Sequence, residues 1–221
     1  MTAEIKIQKN VLSKNDEIAA QLRRTFAEKR IFVVNILSSP GSGKTTLLEK
    51  TAEALASKLR LAAIEGDLQT SRDADRIARH GVKAVQINTG RGCHLDANMV
   101  TNVLPQFDLD AIDVLFIENV GNLVCPMTYD LGEDRAVLLV SVTEGDDKPA
   151  KYPTAILKAD LLLLNKMDLQ PFTNFSTQRF GMDVWKLKPN LNMLEISCTK
   201  NIGLEAWFKW VQSESQKKRQ S

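Results

Sequence analysis

The stretch NILSSPGSGKTTLLEK, Asn35 to Lys50, sets a glycine-rich loop, a lysine and two threonines between an apolar run and a helical one. Positions 38–45 read SSPGSGKT and match the phosphate-binding pattern GxxxxGK[ST] everywhere except the first glycine, where Ser38 stands. Gly41 and Gly43 carry no side chain to hold the backbone N–H groups off an anion. With Ser42 and Thr46 they form a cradle at the N-terminus of a helix, whose dipole favours negative charge. Lys44 is placed to reach terminal phosphates and Thr45 to offer its hydroxyl to Mg²⁺. Phosphoryl transfer also needs carboxylates near the cation and the attacking water. Asp67 closes the run AAIEGD, and Glu118 closes VLFIE three residues before Gly121, where this nucleotide-binding class more often has an aspartate. Asp67 has a second reading as the N-cap of the following helix.

A phosphate grip does not choose a base. NKMD at 165–168, directly after a four-leucine run, matches the NKxD motif of GTPases. An aspartate accepts from guanine N1–H and the 2-amino group, a pair that adenine does not present. Asp168 is thus the expected reader of the base, Asn165 the brace of the loop and a base contact, and the Lys166 stem a cover for the ring. Ser197, in SCTK, falls where such proteins set a short segment against the base. GTP and GDP with Mg²⁺ are the expected ligands.

TGRGCHLDA (89–97) and ENVGNLVCP (118–126) bring further donor types. Cys93, His94 and Cys125 offer thiolate and imidazole, ligands for Zn²⁺ and Ni²⁺. A fourth donor is open between Asp96, water and a second copy of the chain. Adjacent Cys-His is not a recognised zinc spacing, and spacing alone leaves buried, non-ligating residues as the alternative. Cys125, however, lies four residues beyond Gly121, in a segment that would feel a nucleotide.

These residues need a scaffold. IFVVNIL, LAAIEGD, KAVQINT, IDVLFIENVG, RAVLLVSVTEGD, ADLLLLNKMDL and NMLEIS read as strands that alternate with helical stretches. The alternation predicts an α/β fold, a P-loop NTPase with a mostly parallel sheet covered on both faces and its ligands at the carboxyl ends of the strands. Helices are expected from Thr45 to Arg60, around 95–104, from about 172 to 182 and at the C-terminus. Residues 1–30 read as an N-terminal helical extension with Ile18, Leu22 and Phe26 on one face, residues 31–212 as the nucleotide domain with its metal site, and residues 213–221 as a basic tail.

Composition sets outer bounds. The 221 residues are 43% apolar and 25% charged, a globular balance, and the net charge of +2 offers no field for nucleic acid or an anionic membrane. No run is long and apolar enough for a membrane span, and MTAEIKIQKN has no apolar signal core, so a cytoplasmic location is expected.

In order, SSPGSGKTT, EGDLQTSRDADRI, GCHLDA, IENVGNLVCP, EGDDK, KYP and NKMDL closely resemble the hydrogenase nickel-incorporation GTPases, the HypB family, over residues 10–210. The resemblance implies a SIMIBI-class metallochaperone that hydrolyses GTP, forms a homodimer linked to nucleotide and metal, and works with a HypA-type zinc and nickel chaperone and the hydrogenase large subunit. Lys44, Asp67 and Glu118 become the catalytic residues, Thr45, Asp67 and Glu118 the Mg²⁺ residues, and Cys93, His94 and Cys125 the Ni²⁺ or Zn²⁺ ligands. Some members carry an N-terminal cysteine motif or a histidine-rich stretch. Only two histidines occur here, so nickel storage is not expected. The urease-type nickel GTPases carry a Cys-Pro-His motif that Cys93-His94 does not match, and a nucleotide-gated metal-binding module with negligible turnover is a further alternative.

Overall fold

The computed structural model describes residues 2–67, 72–90 and 92–220; LQTS at 68–71 and Arg91 lie outside the described residues. Seven strands form one sheet: β1 (Phe32–Ser38), β2 (Leu61–Asp67), β3 (Lys83–Asn88), β4 (Val114–Glu118), β5 (Arg135–Ser141), β6 (Leu161–Asn165) and β7 (Asn192–Glu195). Their order is β3-β2-β4-β1-β5-β6-β7, and every pairing is parallel, a stricter arrangement than the mostly parallel sheet expected. β1, β4 and β6 are buried at every position, so apolar residues must face both ways along them. The chain lays down β1 centrally, builds outward through β2 and β3, returns as β4, and then builds the other half. That reversal places a crevice at the carboxyl ends of the central strands.

Eight helices cover the faces among the described residues: α1 (Thr2–Glu28), α2 (Lys44–Leu55), α3 (Arg72–Ala78), α4 (Ala97–Val103), α5 (Lys148–Lys151), α6 (Pro153–Lys158), α7 (Thr177–Leu187) and α8 (Leu204–Gln220). α2 and α8 pack with Phe32, Val34 and Phe116 in one core cluster, around the fully buried Trp207. Trp207 Nε1 donates to Thr51 Oγ1 at 2.8 Å, which ties α8 to the helix that follows the phosphate loop. α1 and α4 share a second cluster with Val33, Ile64 and Leu115.

Two helices differ from their expected bounds. α2 ends at Leu55 and not at Arg60, because Arg60 is drawn to the start of β4: its backbone N–H and its guanidinium both meet the Asp113 carboxylate, at 2.9 and 2.7 Å. α7 begins at Thr177, where Ser176 caps it by accepting from Arg179 N at 3.2 Å; residues 167–172 form a 3₁₀ turn containing Pro171. α1 stands apart from the strand-helix alternation in sequence, yet Ala19, Leu22 and Phe26 are within 3% of full burial, and Ile18 packs against the same cluster. Phe26→Ala is therefore expected to lower the unfolding free energy by about 3–5 kcal/mol in urea denaturation, as for other truncated core aromatics. A loss below about 1 kcal/mol would mean that α1 rides loosely on the sheet.

Candidate nucleotide and metal site

The five inner strands end in polar residues at one edge: Ser38, Asp67, Glu118, Ser141 and Asn165. Between β1 and α2 the backbone turns through Gly43 at φ 105°, a left-handed value that favours glycine, and a Cβ there would stand 2.6 Å from Asn165 Nδ2. The loop encloses a cavity of about 490 Å³ with Lys44, Thr45, Asp67, Glu118, Gly121 and Lys166 on its walls. Thr45 Oγ1 donates to Glu118 Oε1 at 3.1 Å, and Lys44 Nζ donates to Ser38 Oγ at 2.9 Å. Ser38, the departure from the glycine pattern, thus gives the lysine a resting partner.

Neighbouring elements hold the loop from outside. Asn165 Nδ2 donates to Ser42 O and Lys166 Nζ to Gly41 O, each at 2.8 Å. Asn165 is 2% exposed, and its carbonyl also accepts from Cys198 N at 3.2 Å, so it joins the phosphate loop to the segment after β7. Asp168 lies beyond this cavity's wall. Its Oδ1 accepts from Ser197 Oγ at 2.5 Å, so Ser197, expected against the base, orients the aspartate. Ser42 turns its hydroxyl away from the cavity toward Glu144 Oε1, at 2.6 Å.

A second site lies nearby. The donor atoms of Cys93, His94 and Cys125 lie within 4.8 Å of one another, the spread of ligands around one cation with bonds of about 2.0–2.3 Å. The His94 ring stacks on Tyr129 with centroids 3.9 Å apart, which fixes its plane. Burial holds His94 below the usual imidazole range, against a smaller opposing pull from Asp96. The hydrogen bond with Cys125, reinforced by burial, pushes the Cys93 thiol up. Both shifts favour neutral groups, so a cation must displace the Cys93 thiol proton to bind there. Asp96, one candidate for the fourth donor, caps α4 by accepting from Met99 N at 2.7 Å.

The two sites share one segment. A Cβ on Gly121 would sit 2.9 Å from Pro40 N and Cα, so only glycine lets the chain after β4 lie against the phosphate loop. From that segment, Asn119 Oδ1 accepts from Leu95 N at 3.2 Å and Asn122 Nδ2 donates to Cys93 O at 3.2 Å. Asn119 is fully buried, with Nδ2 on Asn35 Oδ1 at 3.3 Å. α1 grips the same region: Asn15 Oδ1 accepts from Ala97 N, and its Nδ2 donates to Asp130 O, both at 2.9 Å.

No motif in the sequence marks Asn119, Asn122, Glu144, Tyr129 or Arg76 for a role. Arg76 lies on the cavity wall, paired with Glu49 and 3.4 Å from Thr46 Oγ1; its signal was its place in SRDADRI. Glu144 opened the EGDDK motif, which had no expected contact. Nothing in spacing marks the asparagines, whose partners include the distant backbone atoms Leu95 N and Cys93 O.

The family model described as the CobW/HypB/UreG nucleotide-binding domain matches residues 32–195. "Hydrogenase maturation factor HypB" of Rhizobium leguminosarum bv. viciae is 48% identical over 208 residues, 94% of this chain and 70% of the relative. "Hydrogenase/urease maturation factor HypB" of Helicobacter pylori (strain ATCC 700392 / 26695) is 40% identical over 222 residues, 99% of this chain and 91% of the relative. Among solved structures, HypB from Helicobacter pylori in complex with nickel superposes with a TM-score of 0.87 at 40% identity, covering 92% of this chain and 96% of that one. The signal recognition particle receptor FtsY from Elizabethkingia anophelis, at 18% identity, TM-score 0.56, and coverage of 82% and 66%, shares the SIMIBI fold alone. A nucleotide-binding model spanning most of the chain, and relatives this similar over nearly all of it, place the chain in the hydrogenase maturation factor HypB family of P-loop proteins.

Proposed function

We propose that this chain is a GTP-hydrolysing metallochaperone that binds nickel and releases it during maturation of [NiFe]-hydrogenase. It would act in the cytoplasm as a homodimer, with a HypA-type chaperone and the hydrogenase large subunit as partners. The observation that carries the reading is the single segment from Glu118 to Cys125, which begins at the phosphate cavity and ends at a sulfur and imidazole cluster. The nickel named with the Helicobacter pylori structure supports nickel as the cargo. The nucleotide domain of this reading spans residues 31–212, metal cluster included.

Thr45, Asp67 and Glu118 fit Mg²⁺ as a set of oxygen donors, two of them carboxylates, which a hard cation prefers. When bound, that ion neutralises charge on the phosphates. Lys44 leaves Ser38 to meet the terminal phosphates, and the N–H groups at the start of α2 face the same charge. Asp67, at the end of β2, orients the attacking water. Asp168, held by Ser197, accepts from the guanine edge. In the metal cluster, Cys93 and Cys125 bind the cation as thiolates while Tyr129 keeps the His94 ring in place. Asp96, water or a second copy of the chain would complete the coordination. The urease-type reading ranks lower because Cys93 and His94 are adjacent with no intervening proline.

Turnover separates the enzyme from a gated binding module. Lys44→Ala should reduce phosphate release from GTP by at least about 100-fold; release equal to wild type, or none in wild type, refutes hydrolysis at this loop. Cys125→Ala should abolish stoichiometric Ni²⁺ uptake in equilibrium dialysis and leave GTP binding intact. With the Cys93 thiol held up, wild-type Ni²⁺ affinity should rise with pH through neutrality, about tenfold per unit for each proton displaced. A pH-independent affinity would place the metal elsewhere.

A further inference from the structure

The loop after β5, TEGDDK at 143–148, stands outside the nucleotide cavity yet touches the phosphate loop twice. Glu144 Oε1 accepts from Ser42 Oγ at 2.6 Å and from Ser141 N at 2.9 Å, while Oε2 lies 3.4 Å from Lys148 Nζ. Lys148 Nζ reaches Ser39 Oγ at 3.3 Å. Both side chains are largely buried, 12% exposed for Glu144 and 17% for Lys148. Capping the 3₁₀ turn at 142–144 requires only the contact with Ser141, so the bond to Ser42 goes beyond the needs of that turn. A desolvated carboxylate behind a loop that receives phosphate is repulsive unless a cation offsets it, and Lys148 is that cation.

We propose that Glu144 and Lys148 are a positioning pair for the phosphate loop: the carboxylate fixes Ser42 so that the flanking N–H groups meet the β-phosphate, and the ammonium cancels the carboxylate's charge. Neither touches the nucleotide cavity, so they act through Ser42 and Ser39. The pair rests on the guanine-nucleotide reading of the cavity, which the same titrations check separately.

The test is calorimetric GDP affinity, with Mg²⁺, for wild type, Glu144→Ala, Glu144→Gln, Lys148→Gln and the Glu144→Gln/Lys148→Gln double variant. Glu144→Ala should weaken GDP about tenfold, and Glu144→Gln, which keeps the acceptor, should stay within about threefold of wild type. Lys148→Gln should weaken GDP by about five- to tenfold, and adding Glu144→Gln should restore most of that loss, because the uncompensated charge is then gone. A purely structural role predicts that the two losses accumulate. Wild-type affinity in both Glu144→Ala and Lys148→Gln, or a double variant weaker than Lys148→Gln, overturns the pair. Should Glu144→Ala fail to fold, the polar replacements decide alone. A wild-type protein that takes ADP in place of GDP strikes the guanine reading, and the same comparison then runs with ADP.

Discussion

A phosphate loop has to keep its backbone N–H groups turned toward an anion, so it cannot use them to hold its own shape. Its form must be imposed by what surrounds it. Here the ends of the neighbouring strands do that: Asn165 at the end of β6 and Lys166 just after it hold the carbonyls of Ser42 and Gly41, and Glu144 after β5 holds the Ser42 hydroxyl. Glu118 at the end of β4 holds the Thr45 hydroxyl. A parallel sheet makes this possible, since it brings the polar carboxyl ends of buried strands to one edge.

The same packing joins the Cys93, His94 and Cys125 cluster to the phosphate loop. Gly121 lies against Pro40 with no room for a Cβ, so a shift of the phosphate loop would press directly on the segment that ends at Cys125. Two hydrogen bonds, from Leu95 N to Asn119 and from Asn122 to Cys93 O, would pass that movement to the Cys-His pair. At roughly 0.5–1.5 kcal/mol each, making or breaking both is worth about 1–3 kcal/mol. Allosteric couplings are of that size, about 5- to 150-fold in affinity, so no larger rearrangement is required. α1 supports the arrangement, because Asn15 bridges the loops that carry His94 and Tyr129.

Much of this was legible from residues alone. Strand ends could be located because buried apolar runs stop abruptly at polar residues, and Lys44, Thr45, Asp67 and Glu118 do meet on one cavity. Residue type and the place of Cys125 after Gly121 made Cys93, His94 and Cys125 candidates, and family resemblance then favoured them; adjacent Cys-His has no diagnostic spacing, and the contact with Cys125 spans 32 residues of chain. Asn165 was legible from NKMD as the brace of the loop. The contacts of Asn119 and Asn122 were hidden for a different reason: they reach backbone atoms of Leu95 and Cys93, which leave no trace in the partner's residue type. The helix bounds shifted where tertiary partners overrode periodicity, as when Asp113 captured Arg60.

The central claim is that nucleotide state and metal affinity are one equilibrium, because a shared segment belongs to both sites. The direct measurement is the Ni²⁺ dissociation constant of the wild-type protein, by competition with a chelator, in saturating GDP and in a non-hydrolysable GTP analogue, each with Mg²⁺. The account predicts that the two constants differ by at least about fivefold. Constants equal within error, with the same oligomeric state in both nucleotides, would contradict it.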